Sequence, residues 1–244
     1  MCDTCGCQLH DHHHHDAKVV EVNRSLLEAN QKQAESNRRH IEAMGALALN
    51  LISSPGSGKT TLLERTIEAL KDTVRIGVIE GDIETERDAD RIRAKGVPAV
   101  QLTTGGACHL DAPMVHGGLH VLEHFAKGGG YDLIFIENVG NLVCPATFDL
   151  GEHRRVVLLS TPEGSDKPAK YPATFRSADL VLLTKTDLLP HFDFSVEEAV
   201  KESQLLKPGL QILSLSATTG EGFDQWIDYL KNMQIGRASC RERV

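Results

Sequence analysis

The stretch Ser53-Ser54-Pro55-Gly56-Ser57-Gly58-Lys59-Thr60-Thr61 separates a mainly apolar run, residues 46–53, from a helical pattern, residues 59–71. A glycine-rich turn between a buried strand and a helix is what phosphate binding requires. Glycines let backbone N–H groups turn inward, the helix N-terminus adds its positive end, a lysine reaches the terminal phosphates and a threonine hydroxyl serves magnesium. Gly56, Ser57, Gly58, Lys59, Thr60 and Thr61 are therefore the candidate phosphate contacts. Ser53 stands where the strict GxxxxGK[ST] pattern has glycine, a position before the tightest turn that a small side chain fits.

Outward from this loop, short apolar runs alternate with helical stretches. Strands are predicted at 46–53, 74–79, 99–102, 133–136, 156–160, 180–183 and 212–215, and helices at 59–71, 85–94, 111–125, 168–176, 196–206 and 222–231. Strands that are apolar throughout and separated by helices predict an α/β fold, a mainly parallel sheet covered on both faces. Residues 18–44 form a polar, loosely amphipathic helical pattern. The chain has 244 residues and a formal net charge of −8, with a sequence pI near 5.8, which argues against a nucleic-acid surface. No apolar run is long enough to cross a membrane, because Asn50 interrupts the longest, and no signal pattern opens the chain, so a cytoplasmic protein is expected. Residues 236–244 (GRASCRERV) break the pattern and read as a vector-derived tail.

Base choice and the magnesium site follow from strand ends. Thr184-Lys185-Thr186-Asp187 matches the [NT]KxD element of GTP-binding proteins. One carboxylate, Asp187, can accept both donors on the guanine edge, while the stem of Lys185 lies against the base and Ser216-Ala217-Thr218 closes the other side. Asp82 is the expected magnesium ligand with Thr60, and Glu137 is either a ligand or the group that positions water. Gly140 is placed to sense the γ-phosphate through its N–H. Lys59, Asp82 and Glu137 form the candidate catalytic set.

Soft ligands cluster twice. Cys2, Cys5 and Cys7 lie in a basic-free, apolar-poor tract, residues 1–16, which reads as a flexible metal-binding tail; three thiolates plus the terminal amine suit nickel, zinc or copper(I). The His12–His15 run suits weak metal buffering. Gly105-Gly106-Ala107-Cys108-His109 presents a thiol beside an imidazole, and Cys144 follows the Glu137–Asn141 element. These are too few ligands for four-coordinate zinc or square-planar nickel, and a symmetric dimer would complete the set by doubling it.

The motifs MCDTCGC, SSPGSGKTT, EGDIETERDADRI, GGACHLDA, ENVGNLVCP, STPEGSDKPAKYP and LLTKTDLLP resemble the hydrogenase nickel-incorporation GTPase family, HypB, over residues 1 to about 235. The resemblance implies a P-loop NTPase fold of the signal-recognition and MinD-like (SIMIBI) class, with a metal-binding tail over 1–16, a helical segment over 17–45 and a GTPase domain over 46–235. It implies GTP hydrolysis with magnesium, delivery of nickel to nickel–iron hydrogenase large-subunit precursors, a high-affinity nickel site at Cys2, Cys5 and Cys7, and a nickel or zinc site at the dimer interface at Cys108, His109 and Cys144. Implied partners are a second copy in a GTP-favoured homodimer, the nickel chaperone HypA and, in some organisms, SlyD. A lysine of the DKPxKYP stretch, here Lys167, would reach the neighbour's nucleotide. Two other readings compete: a urease-type nickel-maturation GTPase, disfavoured by GACHLDA and the N-terminal cysteines, and a nickel store whose nucleotide site is vestigial.

Overall fold

Residues Leu47–Ser53 (β1), Ile76–Asp82 (β2), Ala99–Thr103 (β3), Leu133–Glu137 (β4), Arg154–Ser160 (β5), Leu180–Thr184 (β6) and Gln211–Ser214 (β7) form one sheet in the order β3-β2-β4-β1-β5-β6-β7. Every strand pair is parallel. The structure, a computed structural model, describes the backbone of residues 12–82, 87–126 and 129–241 and side chains within 24–82, 87–126 and 129–233. Cys2, Cys5 and Cys7 lie outside the described residues.

Helices α1 (His12–Ala43), α2 (Lys59–Leu70), α3 (Arg87–Ala94), α4 (Ala112–Phe125), α5 (Lys167–Lys170), α6 (Pro172–Ser177), α7 (Val196–Leu206) and α8 (Phe223–Arg241) cover both faces of the sheet. Alternation along each strand divides the core. Leu133 and Phe135 join Leu62, Ile67 and Trp226 on one face, while Ile134 and Ile136 join Val115 and Leu119 on the other. This is the expected P-loop NTPase architecture. Among the described residues no helix is long and apolar enough to cross a membrane.

The differences from the sequence expectations lie at element ends. The strand expected at 74–79 runs to Asp82, and the N-terminal helix begins at His12 rather than after residue 17. Helix α8 continues to Arg241, past the boundary expected at residue 236. The helix expected over 168–176 is two short ones, broken at Tyr171 (φ −124°, ψ 55°) before Pro172, whose ring disfavours helical geometry in the residue it follows.

Helix α1 is less simply amphipathic than its sequence suggests. Ala34 and Ile41 are buried, but so are Asn30 and Asn37. Asn37 Nδ2 donates to the carbonyls of Ala112 (2.8 Å) and Leu150 (3.0 Å), and Asn30 Oδ1 accepts from Ala112 N at 2.8 Å. These bonds satisfy buried backbone groups and fix α1 to the head of α4.

Candidate functional site

The carboxyl ends of β1, β2 and β4 lie side by side, so the loops that follow them converge on one crevice of about 480 Å³. Its lining includes Gly56, Gly58, Lys59, Thr60, Thr61, Asp82, Glu137, Gly140 and Lys185. Gly56 (φ 75°) and Gly58 (φ 93°) both adopt left-handed backbone, which bends the loop around the crevice. A side chain at Gly140 would come within 2.8 Å of Pro55 Cα, so only glycine lets these two loops touch.

Buried charge organises the floor. Lys59 Nζ donates to Ser53 Oγ at 3.0 Å and lies 3.9 Å from Glu137 Oε1, which also accepts from Thr60 Oγ1 at 3.0 Å. Ser53, the departure from the strict loop pattern, thus supplies an oxygen that glycine lacks. Strand register sets Glu80 directly against Glu137, at 2% and 4% exposure. Burial first, and then the charge of Glu137, push the Glu80 carboxyl up to about 11. Burial also raises Glu137, with Lys59 and hydrogen bonds from Glu80 and Thr60 opposing part of the shift. Glu80 has no counterpart among the expected site residues.

Glu137 Oε2 and Glu80 Oε2 are buried without partners. Glu137 Oε2 with Thr60 Oγ1 and the Asp82 carboxylate on the same crevice makes an all-oxygen donor set, which fits magnesium rather than a softer ion.

A smaller cavity beside the loop is lined by Ser57, Gly58, Thr61, Lys185, Asp187, Ala217 and Thr218. Lys185, in left-handed backbone at φ 59°, donates from Nζ to Gly56 O at 2.7 Å, so its stem crosses from this cavity to the phosphate loop. Ser216 is fully buried beneath the wall, where its Oγ accepts from Thr218 N (3.2 Å) and Thr219 N (3.1 Å); it shapes the loop, and Ala217 and Thr218 face the cavity. Ser57 Oγ donates to Glu163 Oε1 at 2.6 Å, and the same oxygen accepts from Ser160 Oγ at 2.7 Å. Glu163, unforeseen in the sequence, clamps the phosphate loop to the end of β5. Lys167 lies outside both cavities, its Nζ 5.3 Å from the centre of the Tyr171 ring.

Cys108, His109 and Cys144 converge: Sγ to Sγ is 3.0 Å, Cys108 Sγ to His109 Nδ1 is 3.7 Å, and the three donor atoms lie within 4.8 Å of one another. The adjacent Cys108 thiol, and then burial, raise the Cys144 thiol. Burial lowers His109, favouring the neutral imidazole that metals bind. Val143, beside Cys144, is 60% exposed.

The two regions share backbone. Asn138, next to Glu137, accepts from Leu110 N at 3.1 Å through Oδ1; Asn141 Nδ2 donates to Cys108 O at 3.2 Å. Leu110 in turn packs where a side chain on Gly81, at the end of β2, would collide at 2.7 Å.

Comparison with known proteins gives a consistent picture. Residues 47–214 match the family described as CobW/HypB/UreG, nucleotide-binding domain. The chain is 49% identical over 225 residues to the hydrogenase maturation factor HypB of Azotobacter chroococcum, an alignment covering 92% of this chain and 72% of that one. It is 44% identical over 216 residues to the hydrogenase/urease maturation factor HypB of Helicobacter pylori, covering 88% of this chain and 87% of the relative. The crystal structure of HypB from Helicobacter pylori in complex with nickel superposes with a TM-score of 0.82 at 41% identity, over 86% of this chain and 96% of that one.

Proposed function

The chain belongs to the CobW/HypB/UreG family, among its HypB members, and from that premise we propose that it is a GTP-hydrolysing metallochaperone that binds nickel and zinc and assists nickel insertion into nickel–iron hydrogenase precursors. The observation that carries the reading is the short covalent and hydrogen-bonded path from Glu137 to the Cys108, His109 and Cys144 cluster through Asn138, Leu110 and Asn141.

In the structure, Lys59 and Thr60 are both held on Glu137. Terminal phosphates compete for Lys59, and a cation competes for Thr60, so nucleotide binding withdraws two partners from one buried carboxylate. Thr60, Asp82 and Glu137 would hold magnesium, which when bound draws charge off the phosphate oxygens. Asp187 accepts the guanine donors from the floor of the smaller cavity, and Lys185 keeps base and phosphate sites in register. Glu137 then orients the attacking water. Any shift of Glu137 moves Asn138 and so the backbone that carries Cys108, which alters the metal cluster.

Nickel is cargo here. Three donors leave the cluster short of four, and the exposed Val143 beside it suits a contact with a second copy, so a GTP-favoured homodimer doubling the donors is part of the proposal. A HypA-type chaperone and SlyD are the proposed exchange partners, and the high-affinity nickel site is assigned to Cys2, Cys5 and Cys7. Lys167 is the proposed cross-dimer contact to nucleotide. The double name of the Helicobacter pylori relative favours a urease precursor as a second acceptor.

The test is nickel affinity of the Cys108/Cys144 site measured with GDP and with a GTP analogue. Different affinities support the switch, and identical ones overturn it. A nickel store with a vestigial nucleotide site predicts instead that Lys59→Ala leaves nickel incorporation unchanged.

A further inference from the structure

Helices α1 and α4 cross away from the nucleotide crevice, and three imidazoles meet at the crossing. His116 and His120 stand four residues apart on α4, hence on one face, and His40 reaches them from α1. Each offers a ring nitrogen within 4.8 Å of the other two. His116 Nε2 and His120 Nε2 are 3.2 Å apart, and Glu123 Oε2 lies 3.1 Å from His40 Nε2 and 3.8 Å from His120 Nδ1.

The 3.2 Å between His116 and His120 is the spacing of a ligand shell. Tetrahedral zinc with bonds of ~2.0–2.1 Å sets its donors about 3.3 Å apart. His116 Nδ1, the other nitrogen of that ring, is buried with no partner. The rings also crowd, with centroids at 4.5 Å (His116–His120) and 4.8 Å (His40–His120). Burial, and repulsion from His120 and His40, hold His116 in the neutral form that a metal requires. Three imidazoles suit zinc, with nickel as the competing ion.

We propose that His40, His116 and His120 form a zinc site that clamps α1 to α4, with the fourth position left to water. It shares no residue with the Cys108, His109 and Cys144 cluster. From Ala112 at the head of α4 to His116 and His120 is roughly 6–12 Å along the helix axis, so the two sites are separate stations on one element. The site needs neither nucleotide nor a second copy, and so stands whatever becomes of the switch.

The test uses the full chain with Cys2, Cys5, Cys7, Cys108 and Cys144 replaced by serine, which removes the thiolate sites and leaves the histidine tract as a constant background. Zinc is titrated in competition with a chromophoric chelator, with and without the further changes His116→Gln and His120→Gln. Loss of two ligands should lower zinc affinity by more than the ~10–100-fold that an outer-shell change costs. An affinity within threefold of the parent overturns the site. Should the double variant not fold, His40→Gln on the other helix serves with the same readout and the same two outcomes. In crystals grown with zinc, an anomalous peak between the three rings supports the assignment, and zinc density elsewhere only overturns it.

Discussion

The phosphate crevice and the cysteine cluster are built from neighbouring residues yet differ in completeness. In the crevice one chain supplies the floor: Lys59 sits between Ser53 and Glu137, Glu80 lies against Glu137, and these four residues are all buried. In the cluster, Cys108 is exposed, Cys144 and His109 are partly so, and three donors stand without a fourth. Strand register can fix the first, since Glu80 and Glu137 oppose each other by sheet pairing alone. Loops fix the second, and loops leave room for an ion or a second molecule to finish the site.

If the crevice is the engine and the cluster its output, their failures should separate. The largest effect is expected from Lys59→Ala. It removes the cation aimed at phosphate charge and should cut GTP hydrolysis by ~10²–10³-fold. Phosphate release measured at saturating GTP checks this, and a loss under tenfold would break the proposed division. Next comes Cys144→Ala, which takes one of three donors and should weaken nickel or zinc binding at the cluster by at least ~10-fold. Affinity for GDP should stay as in the parent. An equal fall in both would show that the two regions are one site.

Asn37→Ala sharpens the contrast from outside. It strips the two hydrogen bonds that Asn37 donates to the carbonyls of Ala112 and Leu150, a cost of about 1–3 kcal/mol. Chemical denaturation should register that loss. Ala112 heads the helix that follows Cys108 and His109, so cluster affinity should weaken with it while hydrolysis holds.

Much of this was legible in the chain. Continuous apolar runs gave all seven strands, and Gly56, Gly58, Lys59 and Thr60 carried the phosphate loop in their spacing. Other features depend on which distant segments meet. Glu80 faces Glu137 only because β2 lies beside β4, a neighbour it does not follow in sequence. Glu163 reaches Ser57 only because β5 pairs with β1. The four-residue spacing of His116 and His120 was a visible signal, but His40 joins them through a helix crossing that no local pattern encodes. The break at Pro172 was readable from proline chemistry, and the apolar residues either side masked it.

The last effect, on stability against pH, probes how the crevice floor is held at rest. Glu80 ordinarily titrates at 4.5, and in the fold it is pushed up to about 11 by burial and then by Glu137. Between those values the folded chain holds a proton that the unfolded chain has released, so stability falls as pH rises through the window. Below 4.5 both states are protonated and the loss disappears. Glu80→Gln keeps a donor toward Glu137 and cannot ionise. Urea midpoints of chelator-treated protein at several pH values from mildly acid to mildly alkaline should therefore decline less steeply in the variant, whose advantage widens as pH rises. Parallel curves would mean that Glu80 is charged in the fold. Lys59 would then face two carboxylates, and the crevice would be as unfinished without its ligands as the cysteine cluster is.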